Sequence, residues 1–162
     1  MRIRRSSGFL FLIGGLHEEN TQAKGSQLQQ APLPYCGSSV IYRSADGIYK
    51  ENPRHTMLYV CSRYPACDSY VRVHAGTRIP VGELANQPLR TLRREAHQVF
   101  DQLYLSGLMS KQEAYLWLSE ITCTPLSRAH IACMREYNCR LIIDESRKLL
   151  SQTEVKIHDA ES

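Results

Sequence analysis

The sequence holds no run of about eighteen apolar residues, so it predicts no transmembrane helix and no membrane partner. It shows no internal repeat. A strong charge of either sign is also missing, the formal net charge being +4 over 162 residues. So small a surplus excludes a strong electrostatic footprint, although it suits some contact with phosphates. No nucleophile stands near His97 and Asp101, the candidate acid/base pair, which argues against catalysis there.

What is present suits a globular chain. Apolar residues make up 43% of it, enough for a modest core in one domain or two small units. The charge is uneven: residues 31–80 hold six basic and three acidic residues, and residues 81–162 hold ten and eleven. Near the start, Arg2, Arg4 and Arg5 precede an apolar run from Gly8 to Leu16, in the manner of a secretory signal. Gly14-Gly15 interrupts that run, and Leu16-His17-Glu18-Glu19 is a poor cleavage site, so a loose leader is the expected reading. Six cysteines are compatible with three disulfides. A chain of this length with helical patterning folds without them. The expected compartment is therefore reducing and cytoplasmic, with the thiols as metal ligands or core.

Four segments are expected. Residues 1–32 read as flexible leader and linker, since 17–32 are rich in Gln, Glu, Asn, Gly, Ser and Ala with no apolar period. Residues 33–74 alternate in a strand-like way: Ser39-Val40-Ile41-Tyr42, then the turn pair Asp46-Gly47, then Thr56 to Cys61, then Ser69 to Val73. So few short strands need a staple or a helix beneath them. Residues 75–151 begin with a loop punctuated by Gly76, Pro80, Gly82 and Pro88 and continue as helices. Leu89, Leu92, Ala96, Val99 and Leu103 predict a helix over 87–105. Ser110 with Glu113 forms a capping box that starts a second helix. Thr124-Pro125 can open a short third, and a fourth is expected near 135–150. Residues 152–162 read as a disordered tail. The fold class is α+β: a small antiparallel zinc-ribbon-like β unit followed by three or four helices.

A structural zinc site needs four soft ligands at tetrahedral corners, usually paired on two short turns. Cys61-Ser62-Arg63-Tyr64-Pro65-Ala66-Cys67 can form one such turn, with a longer spacer than the common knuckle and Pro65 to shape it. In the facing turn, Leu33-Pro34-Tyr35-Cys36-Gly37, Cys36 followed by Gly37 suits a knuckle. Leu33, which cannot bind metal, occupies the position of the first ligand.

These two turns resemble the zinc ribbons at the C-terminal end of bacterial type I DNA topoisomerases. The chain is more closely similar to a phage and prophage family described as a zinc-finger-containing domain. His74, Gly76, Thr77, Pro80, Gly82, Leu89-Arg90, Leu92-Arg93, Ala96-His97 and Phe100-Asp101 extend that likeness. Met109-Ser110, Glu113 to Tyr115, Trp117, His130 and Cys139 carry it over about residues 33–145. The resemblance implies a ribbon plus helices, zinc as cofactor and nucleic-acid contact, with no established activity. Metal ligation carries over to Cys36, Cys61 and Cys67 only, because the family pattern has Cys where this chain has Leu33. Three outcomes are open: a fourth ligand from His55, His74 or Asp68; water or a partner residue in its place; or loss of the metal with Leu33 packed where it sat.

Other candidate sites have plainer roles beside the functional ones. Cys123, His130, Cys133 and Cys139 have the residue types of a second zinc site but lie among apolar neighbours, as buried core thiols do. Arg93, His97 and Asp101 share one helix face, either with His97 and Asp101 as an acid/base pair, or as a charged surface ladder, or as contacts pinning the helix to the preceding loop. His74 serves either as zinc ligand or within its loop, and the loop role is favoured. Trp117 and Tyr115 belong to the core or its rim. Arg43, Arg63, Arg72 and Arg78 interleave with Tyr42, Tyr64 and Tyr70, the combination that holds single strands by phosphate and base. The leading expectation is a non-catalytic accessory module binding nucleic acid, DNA favoured, through Arg43, Arg63, Tyr64, Arg72 and Arg78. The alternatives are an adaptor engaging a host protein through the helical half, and an enzyme built on His97 and Asp101.

Overall fold

The computed structural model describes residue 33 and residues 35–160, with side chains as far as 152. The expected leader and linker, 1–32, lies outside them. Strands β1 (Val40–Ser44), β2 (Met57–Cys61) and β3 (Tyr70–Arg72) form an antiparallel sheet in that order. Three α-helices follow: α1 (Gln87–Leu105), α2 (Lys111–Ile121) and α3 (Glu136–Ala160). The α+β architecture is as the sequence predicts.

The register pairs Tyr42 with Tyr59, and Leu58 with both Arg43 and Arg72. Alternation along the strands then divides the sheet into two faces. On one face Val40, Tyr59, Cys61 and Val71 join Leu33, Val73 and Leu84 in a buried cluster. On the other, Leu58 and Val60 pack with Ala45, edged by Ile48, Tyr49, Tyr64 and Tyr70. Leu58 to Cys61 are all buried, as befits a central strand covered on both sides. The Asp46-Gly47 signal does mark a turn: Gly47 has φ +76°, and the Ile48 and Tyr49 amides donate to the Ala45 carbonyl. Beyond β3 the expected loop doubles back as a strap, bridging Val73 to Pro80 and Tyr70 to Ala85.

Helix α1 matches its expected range. Asn86 caps it by accepting from the Leu89 amide, and Pro88 sits in its first turn. At α2 both halves of the Ser110–Glu113 capping box form. The short helix expected from Thr124-Pro125 is replaced by two 3-10 turns, Leu126–Arg128 and Ile131–Cys133. Leu126, Ser127 and Arg128 are all exposed, so no apolar face is available there to hold a longer helix. Helix α3 continues past 150 into the stretch read as a tail.

The helices build their own core from Ala96, Phe100, Leu103, Leu118, Cys139 and Ile142, with α1 lying chiefly against α3. Phe100 is its centre, fully buried, with Tyr115 edge-on at 5.3 Å and Trp117 stacked at 6.4 Å. Burying a phenylalanine is worth about 1.5–3 kcal/mol.

Ribbon and helices share no core residue and meet at a polar seam. The Asp68 carboxylate accepts from the Gln87 amide at 2.8 Å and from Arg90 Nη2 at 2.9 Å. Arg90 also donates to the Asp68 and Ala85 carbonyls. Arg93 donates from Nε to the Met134 carbonyl and from Nη1 to the Glu83 carbonyl, each at 2.8 Å. Beside it the Glu83 amide donates to the Ala132 carbonyl. Gly82 lies so close to that turn that an added Cβ would stand 2.3 Å from the Ala132 carbonyl oxygen. The helical half therefore meets the ribbon by arginine clamps and backbone contact.

Candidate metal centre

Two turns present the ribbon thiols. In the first, the Gly37 amide donates to the Leu33 carbonyl at 2.8 Å and the Leu33 amide to the Ser38 carbonyl at 3.0 Å. Gly37 takes φ +69°, a region glycine enters without strain, and Cys36 is thereby turned towards the sheet's end. In the second, the Tyr64 amide donates to the Cys61 carbonyl and the Cys67 amide to the Arg63 carbonyl, around a cis Tyr64–Pro65 bond. The Arg63 amide points at Cys61 Sγ, 3.4 Å away. A Ser62 amide bond to the Ser39 carbonyl joins the two turns.

The consequence is convergence. The sulfurs of Cys36, Cys61 and Cys67 lie within 4.8 Å of one another, with Cys36 and Cys61 at 3.5 Å, and none is in a disulfide. A tetrahedral ion with metal–sulfur bonds of about 2.3 Å places its sulfurs about 3.8 Å apart. The three-thiol cluster is thus compatible with a metal such as zinc.

The three thiols sit in different electrostatic surroundings. Hydrogen bonds from the Ser38 hydroxyl and Ser38 amide bring the Cys36 thiol down to about 7. Burial drives Cys61 up to about 11, so the free thiol is neutral at physiological pH. Cys67 contacts the Ser69 hydroxyl at 3.4 Å.

The structure does not bring the proposed fourth ligands to this point. Among the described residues, the three thiols alone make a group of three or more metal-ligating atoms at that spacing. His55, with φ 48°, lies exposed in the β1–β2 connection. His74 is exposed at the turn of the strap, where its amide donates to Ile79 and its carbonyl accepts from Thr77, the loop role. Asp68 is committed to the seam. Leu33 is buried in the cluster against which Cys36 and Cys67 pack.

The second cysteine set does not gather either. Cys123 is exposed at the end of α2, Cys133 is half-buried and Cys139 is buried in the helical core. The three residues of the α1 face have separate surroundings. Arg93 belongs to the seam, the pinning role, and Asp101 accepts from the Tyr104 hydroxyl at 2.8 Å, pushing that phenol up to about 12. Desolvation by neighbouring protein atoms holds the imidazole of the exposed His97 below its ordinary value, opposed by the Asp101 charge.

The five residues expected to meet nucleic acid divide between two sheet faces and the thiol-bearing turn. Arg43 and Arg72 flank Leu58 on one face, where Tyr64 also packs. Arg63 is exposed on the thiol-bearing turn. Arg78 lies on the opposite face, 4.8 Å over the Tyr42 ring. Sequence reasoning missed two members of the first face. Arg90 reaches back from α1 to lie 3.8 Å over Tyr70, and Tyr49 meets Tyr70 edge-on at 6.0 Å. The Arg72 and Arg90 charges both reach Tyr49. The period-two spacing of Tyr70 and Arg72 was a visible signal for this face; the arrival of Arg90 had none.

A small antiparallel ribbon whose two tight turns gather three thiols defines a zinc-finger class of module. The chain belongs to a family described as a zinc-finger-containing domain, whose model matches residues 29–149 and so takes in ribbon and helices together. No curated protein and no solved structure matches the chain. Among the described residues, no helix is long and apolar enough to cross a membrane.

Proposed function

We propose that the protein is a non-catalytic nucleic-acid-binding module of phage or prophage type, its ribbon cross-linked by zinc and its favoured ligand DNA. Cys36, Cys61 and Cys67 would hold the ion, whose contribution is structural: tying the two turns of a sheet too small to be stable alone. The observation that carries the reading is the basic and aromatic sheet face. Arg43 and Arg72 stand on either side of Leu58, with Tyr49, Tyr64 and Tyr70 around them and Arg90 behind. On such a face cations meet the phosphates and rings stack on bases. Arg63 and Arg78 extend the positive charge beyond it.

The test is a fluorescent single-stranded oligonucleotide titrated at several salt concentrations. With three phosphates neutralised, log affinity should fall against log salt with a slope of about −2. Replacing Arg43 and Arg72 by Ala should weaken binding and flatten that slope. Absence of binding at low salt would reject the proposal and favour the adaptor reading. That reading draws on apolar side chains exposed on the helical half, Leu105 and Tyr137 above all.

A further inference from the structure

Away from the thiols and the aromatic sheet face, an open cleft of about 410 Å³ lies where the first ribbon turn meets the starts of α1 and α3. That volume is in the range of small-ligand sites. Its lining includes the apolar Leu84, Leu89 and Leu92, with Tyr35 42% exposed, and three cations, Arg93, Arg135 and Arg140.

Arg93 carries the argument. It is 8% exposed, its two hydrogen-bond acceptors are neutral carbonyls, and among the described residues it makes no ion pair. A buried cation without a contacting anion is costly, and the cost is relieved when an anion arrives. Burial lowers its pKa, and neighbouring groups, Cys139 and then Glu83, offset that only in part. Two carboxylates border the cleft but leave it cationic. Glu136 is paired with Arg140 at 2.7 Å, and the Glu83 charge acts on Arg93 without forming an ion pair with it, so three guanidinium groups against two carboxylates leave one positive charge in excess. The anion would meet guanidinium groups and not helix amides, since Asn86 and Asp68 already satisfy the first amides of α1.

A planar guanidinium fork matches a phosphate's oxygens, and leucine side chains with a tyrosine among them suit a base. We propose that this cleft binds a nucleotide bearing a terminal phosphate monoester, either a free mononucleotide or the phosphorylated end of a strand. The strand-end form rests on the nucleic-acid reading above; the mononucleotide form does not.

The experiment uses the full chain and anisotropy competition with dAMP, deoxyadenosine, and one oligonucleotide prepared 5′-phosphorylated, 3′-phosphorylated and unphosphorylated. Binding of dAMP over deoxyadenosine, or of one phosphorylated strand over the unphosphorylated one, should be favoured about tenfold. Arg135→Ala, at an exposed position, should abolish that preference. Arg93→Lys, which keeps the charge but loses the fork, should reduce it. The Arg43→Ala, Arg72→Ala double variant should weaken all strands equally and leave dAMP unchanged. If dAMP binds through Arg135 and strands do not bind, the cleft stands and the nucleic-acid reading fails. If strands bind without regard to phosphate and dAMP does not bind, the cleft proposal is overturned and the nucleic-acid reading stands. Binding of neither overturns both.

Discussion

The ribbon buries Leu33, Val40, Tyr59 and Val71 on one face of a three-stranded sheet, whereas the helical half buries Phe100, Leu103, Leu118 and Ile142 among three helices. The helical core is continuous and needs no cross-link. The ribbon's apolar surface is split between two small clusters on opposite faces, neither large enough to hold three short strands. Its remaining resource is the thiol cluster, which joins the first and second turns across 25 residues of chain. One chain thus contains a part stabilised by packing and a part whose three thiols are compatible with a metal cross-link.

The sharpest way to break that comparison is to damage the packed half. Phe100→Ala should cost the helices about 3–5 kcal/mol, read as a lowered thermal transition by far-UV circular dichroism. Metal content of the ribbon should not change. A matching loss of metal would mean that both halves unfold as one.

A change that sharpens the contrast is Leu33→Cys. It restores a fourth thiol to the turn that already presents Cys36 and should raise zinc affinity at least about tenfold, measured against a chromophoric chelator. Unchanged affinity would place the open coordination position somewhere other than residue 33.

The smallest effect is expected at the α2 cap. Ser110→Ala should remove about 1 kcal/mol from the helical half and nothing from the ribbon, by urea unfolding. The Ser110 amide and then its hydroxyl hold the Glu113 carboxyl below its ordinary value. Its contribution is therefore present above the unfolded-state pKa and lost as pH falls through the folded one. Glu113→Gln should flatten that acidic part of the stability profile; a profile identical to wild type would exclude the capping role.

What was readable in advance was local. The apolar spacing from Leu89 to Leu103, the Ser110–Glu113 pair and the alternation of Thr56 to Cys61 each report on neighbours a few residues away, and each marks an element the structure contains. The convergence of the three thiols was legible because tight-turn chemistry, Gly37 above all, constrains where Cys36 points. Contacts between distant segments left no such trace. Nothing periodic signals that Arg90 would stack on Tyr70, that Arg93 would bind one carbonyl on the strap and one beside α3, or that Tyr49 would fold over the sheet. His55 and His74 have the right chemistry for metal, but chain direction in their turns carries them to solvent.

Gly82 has a consequence for how rigidly the halves are mated. Backbone touches backbone there, so the gap is narrower than a methyl group. Any larger residue would act as a wedge, prising strap from 3-10 turn, parting the Glu83–Ala132 bond and drawing the two carbonyl anchors of Arg93 away from each other. The angle between sheet and helices is therefore set by the absence of a single carbon atom.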